Sequence, residues 1–163
     1  MSSQPLLSTV LPPLVLGTAG FNHQFNKDPH SLPTKDIVHK ALSQGIHAFD
    51  TSPYYGPAEE LLGAALKSQT EFPRSSYVLQ TKVGRIAEAQ FDYSAEWVRK
   101  SVARSCQRLG ATYLDIVLCH DVEFVTSGEV LEAVQALRVL RQEGKLRYVG
   151  ISGYPVEDRK SVV

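Results

Sequence analysis

Five short apolar runs alternate with four amphipathic stretches along this chain, and that alternation restricts the fold more than any other feature. The apolar runs cover residues 14–20, 46–50, 77–83, 113–119 and 146–151. The stretches between them repeat apolar residues at helical spacing. Ile37, Val38, Ala41 and Leu42 share one face, as do Leu61, Leu62, Ala65 and Leu66 in the second stretch. Val98, Val102, Cys106 and Leu109 line the third, and Val130, Val134, Leu137 and Leu140 the fourth. Strands alternating with helices predict βαβ units and a parallel sheet. Right-handed crossovers then bring all strand C-termini to one side. In a closed eight-strand barrel of this kind, that side carries the chemistry.

Local signals mark the ends of the elements. Thr34, Ser94 and Ser127 can cap the first, third and fourth helices, and Pro57 suits the first position of the second. Gly45, Gly110 and Gly144 can stop helices. Residues 116–118 are continuously apolar, as a parallel strand covered on both faces should be. Residues 1–13 carry no clear pattern, and residues 21–33 read as a loop. No low-complexity tract or linker interrupts the chain, so residues 1–163 read as a single domain with 155–163 as an atypical, charge-rich tail.

Composition narrows the function classes. The 17 basic and 17 acidic residues cancel, and no basic face stands out, which argues against nucleic acid as a partner. No run approaches the roughly 18 apolar residues of a membrane helix. No positive residue precedes Lys27, so the start does not read as a secretory signal. Cys106 and Cys119 read as buried free thiols of a reducing compartment, which favours a cytoplasmic setting.

The strand ends are polar, and four residues there make chemical sense together. Asp50 ends the second run, Tyr55 follows it, Lys82 lies near the end of the third, and His120 ends the fourth. Singly, each also has an ordinary reading as a turn cap, a packing aromatic, a solvated cation or a satisfied polar end. Jointly they suit carbonyl reduction. A tyrosine hydroxyl titrates at about 10, and a nearby ammonium lowers that value. Lys82 can supply the ammonium, Asp50 can position it, and His120 can orient a substrate carbonyl. No side chain donates hydride, so a bound hydride carrier is required. Thr18 and Ser152, at the ends of the first and fifth runs, could face it, although such hydroxyls often only bond nearby backbone.

Competing motifs fail. No G-x-G-x-x-G is present. Gly150-Ile151-Ser152-Gly153 lacks the last glycine of a nucleophile elbow. Cys119, His120 and Asp121 are adjacent, but alternate strand residues face opposite ways and should not converge on a metal.

Residues 49–56, Phe-Asp-Thr-Ser-Pro-Tyr-Tyr-Gly, resemble the signature of the aldo-keto reductases. Residues 81–84, 118–121 and 144–152 resemble that family's third, fourth and fifth strands. Details around residues 119–124 and Gly153 resemble the branch of D-arabinose and L-galactose dehydrogenases. The resemblance implies a (β/α)8 TIM barrel, of which this chain would be the N-terminal five strands and four helices, stopping before strands six to eight. It implies NAD or NADP as cofactor and a small-molecule sugar or aldehyde as substrate. Tyr55 would be the acid–base residue, tuned by Lys82 and Asp50, and His120 would bind and orient the substrate. Thr18, Asp50 and Ser152 would lie near the nicotinamide. The family often has Ser-Asn where this chain has Ser152-Gly153. Some relatives are regulatory rather than enzymatic, so an inactive or interaction protein of the same fold is the alternative. Val163 falls well short of the about 250 residues of a closed barrel. The chain alone is therefore expected to be poorly stable and nearly inactive, and to self-associate through exposed barrel edges.

Overall fold

The computed structural model describes residues 4–154, and the tail 155–163 lies outside them. Five parallel strands form one sheet in the order β1 (Leu16–Gly17), β2 (Ala48–Asp50), β3 (Val78–Val83), β6 (Leu114–His120), β7 (Leu146–Ser152). Each neighbour pair is parallel. Helices α2 (Thr34–Ser43), α3 (Ala58–Lys67), α4 (Ala95–Leu109) and α5 (Ser127–Gln142) supply the crossovers. The strands follow one another in chain order in a parallel sheet, as the alternation predicts, and form the five-strand arc of the (β/α)8 barrel that the resemblance implies.

Register sorts the side chains onto two faces. Ala48, Val78 and Ile116 cluster on the inner face with Leu118 and Tyr148. Phe49, Leu79, Val117 and Cys119 point outward into the main core beneath the helices, with Val38, Leu62, Val102 and Leu137. Strand period 2 produces this split, and two-sided burial explains the near-continuous apolar runs. Gly150 stands opposite Leu118 in the ladder. A Cβ there would meet Leu118 Cδ2 at 2.8 Å, so the glycine makes room on the inner face.

Several element ends depart from the sequence expectation. The first strand shrinks to Leu16–Gly17, because a 3₁₀ turn at Ala19–Phe21 follows at once. Thr34 is the first helical residue rather than a cap; Pro33 precedes it and no side chain caps this end. Pro57 likewise stands just before α3. The cap of α5 is Thr126, not Ser127. Its hydroxyl accepts from Glu129 N while the Glu129 carboxylate accepts from Thr126 N, a reciprocal box in which the glutamate lies three residues after the cap. Ser94 caps α4 as expected, accepting from Trp97 N at 3.3 Å. Gly110 ends it in the left-handed conformation at φ 64°.

Two elements were not legible in advance. The unpatterned start contains a short helix, α1 (Leu7–Val10), whose Leu7 and Val10 pack under the inner-face cluster. Gln4 Nε2 donates to Arg147 O at 2.6 Å and the Tyr148 hydroxyl donates to Pro5 O at 2.7 Å, which pins this segment across the strand N-termini. A hairpin of β4 (Arg85–Ala87) and β5 (Gln90–Phe91) rises from the opposite end, directly after β3.

Asp115 latches the N-terminal ends. It is 2% exposed and accepts from Arg74 Nη2 at 2.6 Å, Leu79 N at 2.9 Å and Arg147 Nη1 at 3.1 Å. The two guanidinium groups lie 4.1 and 4.4 Å from the Tyr113 ring centroid. Cys119 is buried as expected, whereas Cys106 is only partly covered. Burial pushes both thiols up, Cys119 to about 12.

Helices α3 and α4 approach closely at Gly63. A Cβ there would fall 2.1 Å from Arg108 O and 2.8 Å from Leu109 Cα, both rigid backbone atoms. Gly63→Ala should therefore lower stability by about 1–3 kcal/mol despite alanine's better helix propensity. Gly128→Ala, where the added Cβ meets only Thr126 Oγ1 at 3.9 Å, serves as the control. Equal denaturation midpoints for the two variants would contradict the close approach.

Candidate active site

The C-terminal strand ends gather the polar residues named from the sequence. Asp50 pairs in register with Gln80, and Lys82 lies two residues further along the same face of β3. The lysine stem leans back across the ladder. Its Nζ donates to Asp50 Oδ1 at 2.7 Å, Asp50 Oδ2 at 2.8 Å and Thr51 O at 3.0 Å. Three donors thus meet three acceptors on one chain segment. Gln80 Nε2 adds a further bond to Asp50 Oδ1 at 2.6 Å. Lys82 is 5% exposed, so this pairing is what makes its burial tolerable.

Tyr55 sits on the turn between β2 and α3. The Lys82 ammonium lies 4.8 Å from its ring centroid, a cation over an aromatic face. The Tyr55 ring meets His120 edge-on, with centroids 5.9 Å apart. Tyr54 approaches the same imidazole at 6.0 Å. Asp50, Tyr55, Lys82 and His120 are therefore brought together.

Thr18 and Ser152 differ. Thr18 is fully buried, and its N–H and hydroxyl both meet Asp50 O, at 2.8 and 3.0 Å. Its hydroxyl fixes the backbone that carries the carboxylate. Ser152 is half-buried and stands beside His120 in the ladder, at the rim.

The environment of His120 sets its proton inventory. Ser52 Oγ accepts from Tyr54 N at 3.1 Å and lies 3.3 Å from His120 Nδ1. The hydroxyl proton can donate to Nδ1, and in that tautomer the proton of the neutral ring sits on Nε2. Burial lowers the His120 pKa to about 4, against a smaller raising effect of Asp121. The Tyr93 hydroxyl donates to His120 O and holds the backbone. Burial raises the Tyr93 pKa, so it stays protonated. Gly84, at φ 102°, is needed here, because a Cβ would come within 2.4 Å of the Tyr93 ring.

Strand alternation separates Cys119 from His120, but Asp121 defeats the expectation. It adopts φ 59° and ψ 57°, the one positive φ at a non-glycine among the described residues. That turn swings its carboxylate back, with Oδ2 3.5 Å from His120 Nε2. The same oxygen accepts from Arg85 Nη1. Arg85 also donates to Glu88 O at 3.0 Å, and its guanidinium stacks 4.1 Å from the Tyr54 centroid. Ser52, Tyr54, Arg85, Tyr93 and Asp121 were thus missed. Ser52, Tyr54 and Asp121 lay in the motifs at 49–56 and 118–121, whereas Arg85 and Tyr93 lay in none; the hairpin and the left-handed turn that bring Arg85 and Asp121 to His120 are not encoded in periodicity.

The sequence matches the Aldo/keto reductase family over residues 13–162. It is 53% identical over 146 residues to D-arabinose 1-dehydrogenase of Saccharomyces cerevisiae, covering 89% of this chain and 44% of that protein. It is 48% identical over 123 residues to L-galactose dehydrogenase of Arabidopsis thaliana, covering 74% of this chain and 38% of that protein. An aldo/keto reductase structure from Brucella melitensis superposes with a TM-score of 0.74 at 25% identity, covering 93% of this chain and 52% of that one. The chain thus spans under half the length of these curated relatives.

The depressed His120 pKa has a consequence for stability. The unfolded ring takes up a proton at about 6.5 and the folded ring only at about 4. The stabilisation from a neutral His120 is therefore complete above pH 6.5 and is lost as pH falls from about 6.5 to about 4. His120→Gln should flatten the stability profile in that window by up to about 1.4 kcal/mol per pH unit. Denaturation curves collected across the window test this; parallel profiles for parent and variant would refute it.

Proposed function

Because the chain belongs to the aldo/keto reductase family, we propose that its strand-end site serves nicotinamide-dependent oxidoreduction of a sugar or aldehyde. The observation that carries this reading is the pairing of buried Lys82 with half-buried Asp50 beneath the ring of Tyr55, which itself meets His120. In the proposed mechanism the Tyr55 hydroxyl exchanges a proton with the substrate oxygen. The Lys82 ammonium places positive charge beside the phenol, and Asp50 fixes that ammonium. His120, neutral with its proton on Nε2, donates to the same substrate oxygen and orients it. NAD or NADP would supply or take up the hydride.

The residues fit the nicotinamide end of such a cofactor. The Asp50 side chain is 22% exposed, and Ser152 is a half-buried residue beside His120 in the ladder. Thr18 supports Asp50 from below. The names of the relatives favour an aldose, with D-arabinose and L-galactose as first substrates to assay. Tyr55→Phe keeps the ring and removes the proton donor. Turnover of either sugar, followed by nicotinamide absorbance, should drop on the order of a hundredfold or more. An active Tyr55→Phe protein would remove Tyr55 from the mechanism.

A second reading, an interaction protein of the same fold, draws on the sheet edges. Among the described residues β1 and β7 each pair on one side only. Such edges favour association with a second copy. Sedimentation should show a concentration-dependent oligomer. A monomer at all concentrations, turning over sugar with NAD or NADP, would favour the enzyme reading alone.

A further inference from the structure

The Arg85–Asp121 pair sits beside the reacting centre, yet the mechanism above uses neither residue. We propose that Asp121, held by Arg85, accepts a hydrogen bond from the substrate hydroxyl next to the reacting carbon, which makes the site selective for α-hydroxy carbonyl compounds and their cyclic hemiacetals. This rests on the oxidoreductase reading, since it places the substrate oxygen on Tyr55 and His120 Nε2.

Geometry supplies the first argument. Asp121 Oδ2 lies 3.5 Å from His120 Nε2, the atom assigned to the substrate oxygen. That distance is too long for a good hydrogen bond between the two side chains. It leaves the carboxylate oxygen one hydroxyl away from whatever oxygen His120 holds. In an aldose the neighbouring group is the hydroxyl on C2.

Strain supplies the second. A non-glycine at φ 59° costs free energy and persists where surrounding contacts over-determine it. Here those contacts act through Arg85. Arg85 Nη1 bonds the carboxylate, Arg85 Nη2 bonds Glu88 O, and the guanidinium is braced by Tyr54 at 4.1 Å and by Phe91 and Phe124 at 5.5 and 5.8 Å. Phe91 and Phe124 stack on each other at 5.5 Å. Arg85 is thus a positioning residue. Its side chain is 17% exposed and that of Asp121 15%, so the pair is sheltered but reachable.

The chemistry of the acceptor supplies the third. A carboxylate accepts and cannot donate, so it selects a hydroxyl over a hydrogen or an alkyl group. A hydrogen bond to a charged acceptor is worth enough to give discrimination on the order of tenfold or more.

D-arabinose and 2-deoxy-D-ribose differ only by the C2 hydroxyl, so the ratio of their kcat/KM values reads this contact directly. The parent chain should prefer D-arabinose. Two variants remove the carboxylate without fighting the backbone: Asp121→Gly, since glycine favours positive φ, and Asp121→Asn, which keeps the size and tolerates it. The preference should fall on the order of tenfold in Asp121→Gly and substantially in Asp121→Asn. Arg85→Gln should weaken it by freeing the carboxylate. A preference in Asp121→Gly within about twofold of the parent's would overturn the inference and leave the oxidoreductase reading standing. An active parent without any preference would do the same. A parent that reduces simple aldehydes but turns over neither sugar would overturn this inference alone, and one that turns over no sugar or aldehyde with NAD or NADP would overturn the oxidoreductase reading with it.

Discussion

A lysine ammonium cannot stay ionised in a nearly closed site without acceptors, and the arrangement of the strand ends follows from that constraint on Lys82. Its three acceptors all belong to Asp50 and Thr51, at the end of β2. The pairing therefore locks the β2–β3 register as firmly as the backbone ladder does. A slip of one residue would send Lys82 into the helix-facing core and leave Asp50 alone. Removing one partner of such a pair costs about 3–5 kcal/mol, because the other charge stays behind. Once β2 and β3 are fixed, the β3–β6 ladder sets Lys82 opposite Leu118 and carries His120 to the same rim.

The opposite end of the sheet solves a similar problem with inverted charges. There a buried carboxylate, Asp115, gathers two arginines and a backbone N–H. The strands between are mostly apolar on both faces, with Gln80 and Thr81 of β3 as hydrogen-bonded exceptions. A parallel sheet with a charge cluster at each end has little freedom to slide, since sliding would break both clusters together. The segment 4–11 covers the Asp115 end through Gln4 and Tyr148, so the inner face is closed on one side and open on the side of Tyr55 and His120.

What could be read from the sequence follows from what each signal encodes. β3, β6 and β7 were legible because their apolar runs are long and bounded by turn residues. β1 was overestimated because Leu14 and Val15 look like strand although they lie 64% and 40% exposed. As isolated residues Ser127 and Thr126 are both acceptable caps, serine slightly the better. Only the glutamate three residues after Thr126 favours the threonine, and the expectation overlooked it. At the rim, Asp50, Tyr55, Lys82 and His120 could be named from strand ends and a shared motif. Ser52, Tyr54 and Asp121 lay in the same motifs, but nothing there marked a contact with His120. Asp121 follows a strand in which alternation pointed it away, and one left-handed residue reverses that. Arg85 lies on a hairpin whose side chains meet the site only after β3 and β6 are in place.

The dependence of the rim on this hairpin bears on which parts of the site stand on local structure. His120 is held by Ser52 from the β2 end, by the Tyr93 hydroxyl after the hairpin, and by the edges of Tyr54 and Tyr55. Asp121 is held by Arg85. Every one of these partners lies between Ser52 and Asp121, within the span of β2, β3 and β6. The side-chain contacts that hold the imidazole and the carboxylate beside it therefore come from three adjacent strands and one hairpin, while β7 reaches His120 through the backbone ladder at Ser152. Loss of order at either edge would reach the Ser152 side of the rim first, because that residue pairs with His120 only through the outermost ladder. The residues proposed to handle the proton thus draw mostly on the interior of the sheet, with Thr18 bracing Asp50 from the β1 side, and Ser152 belongs to its margin.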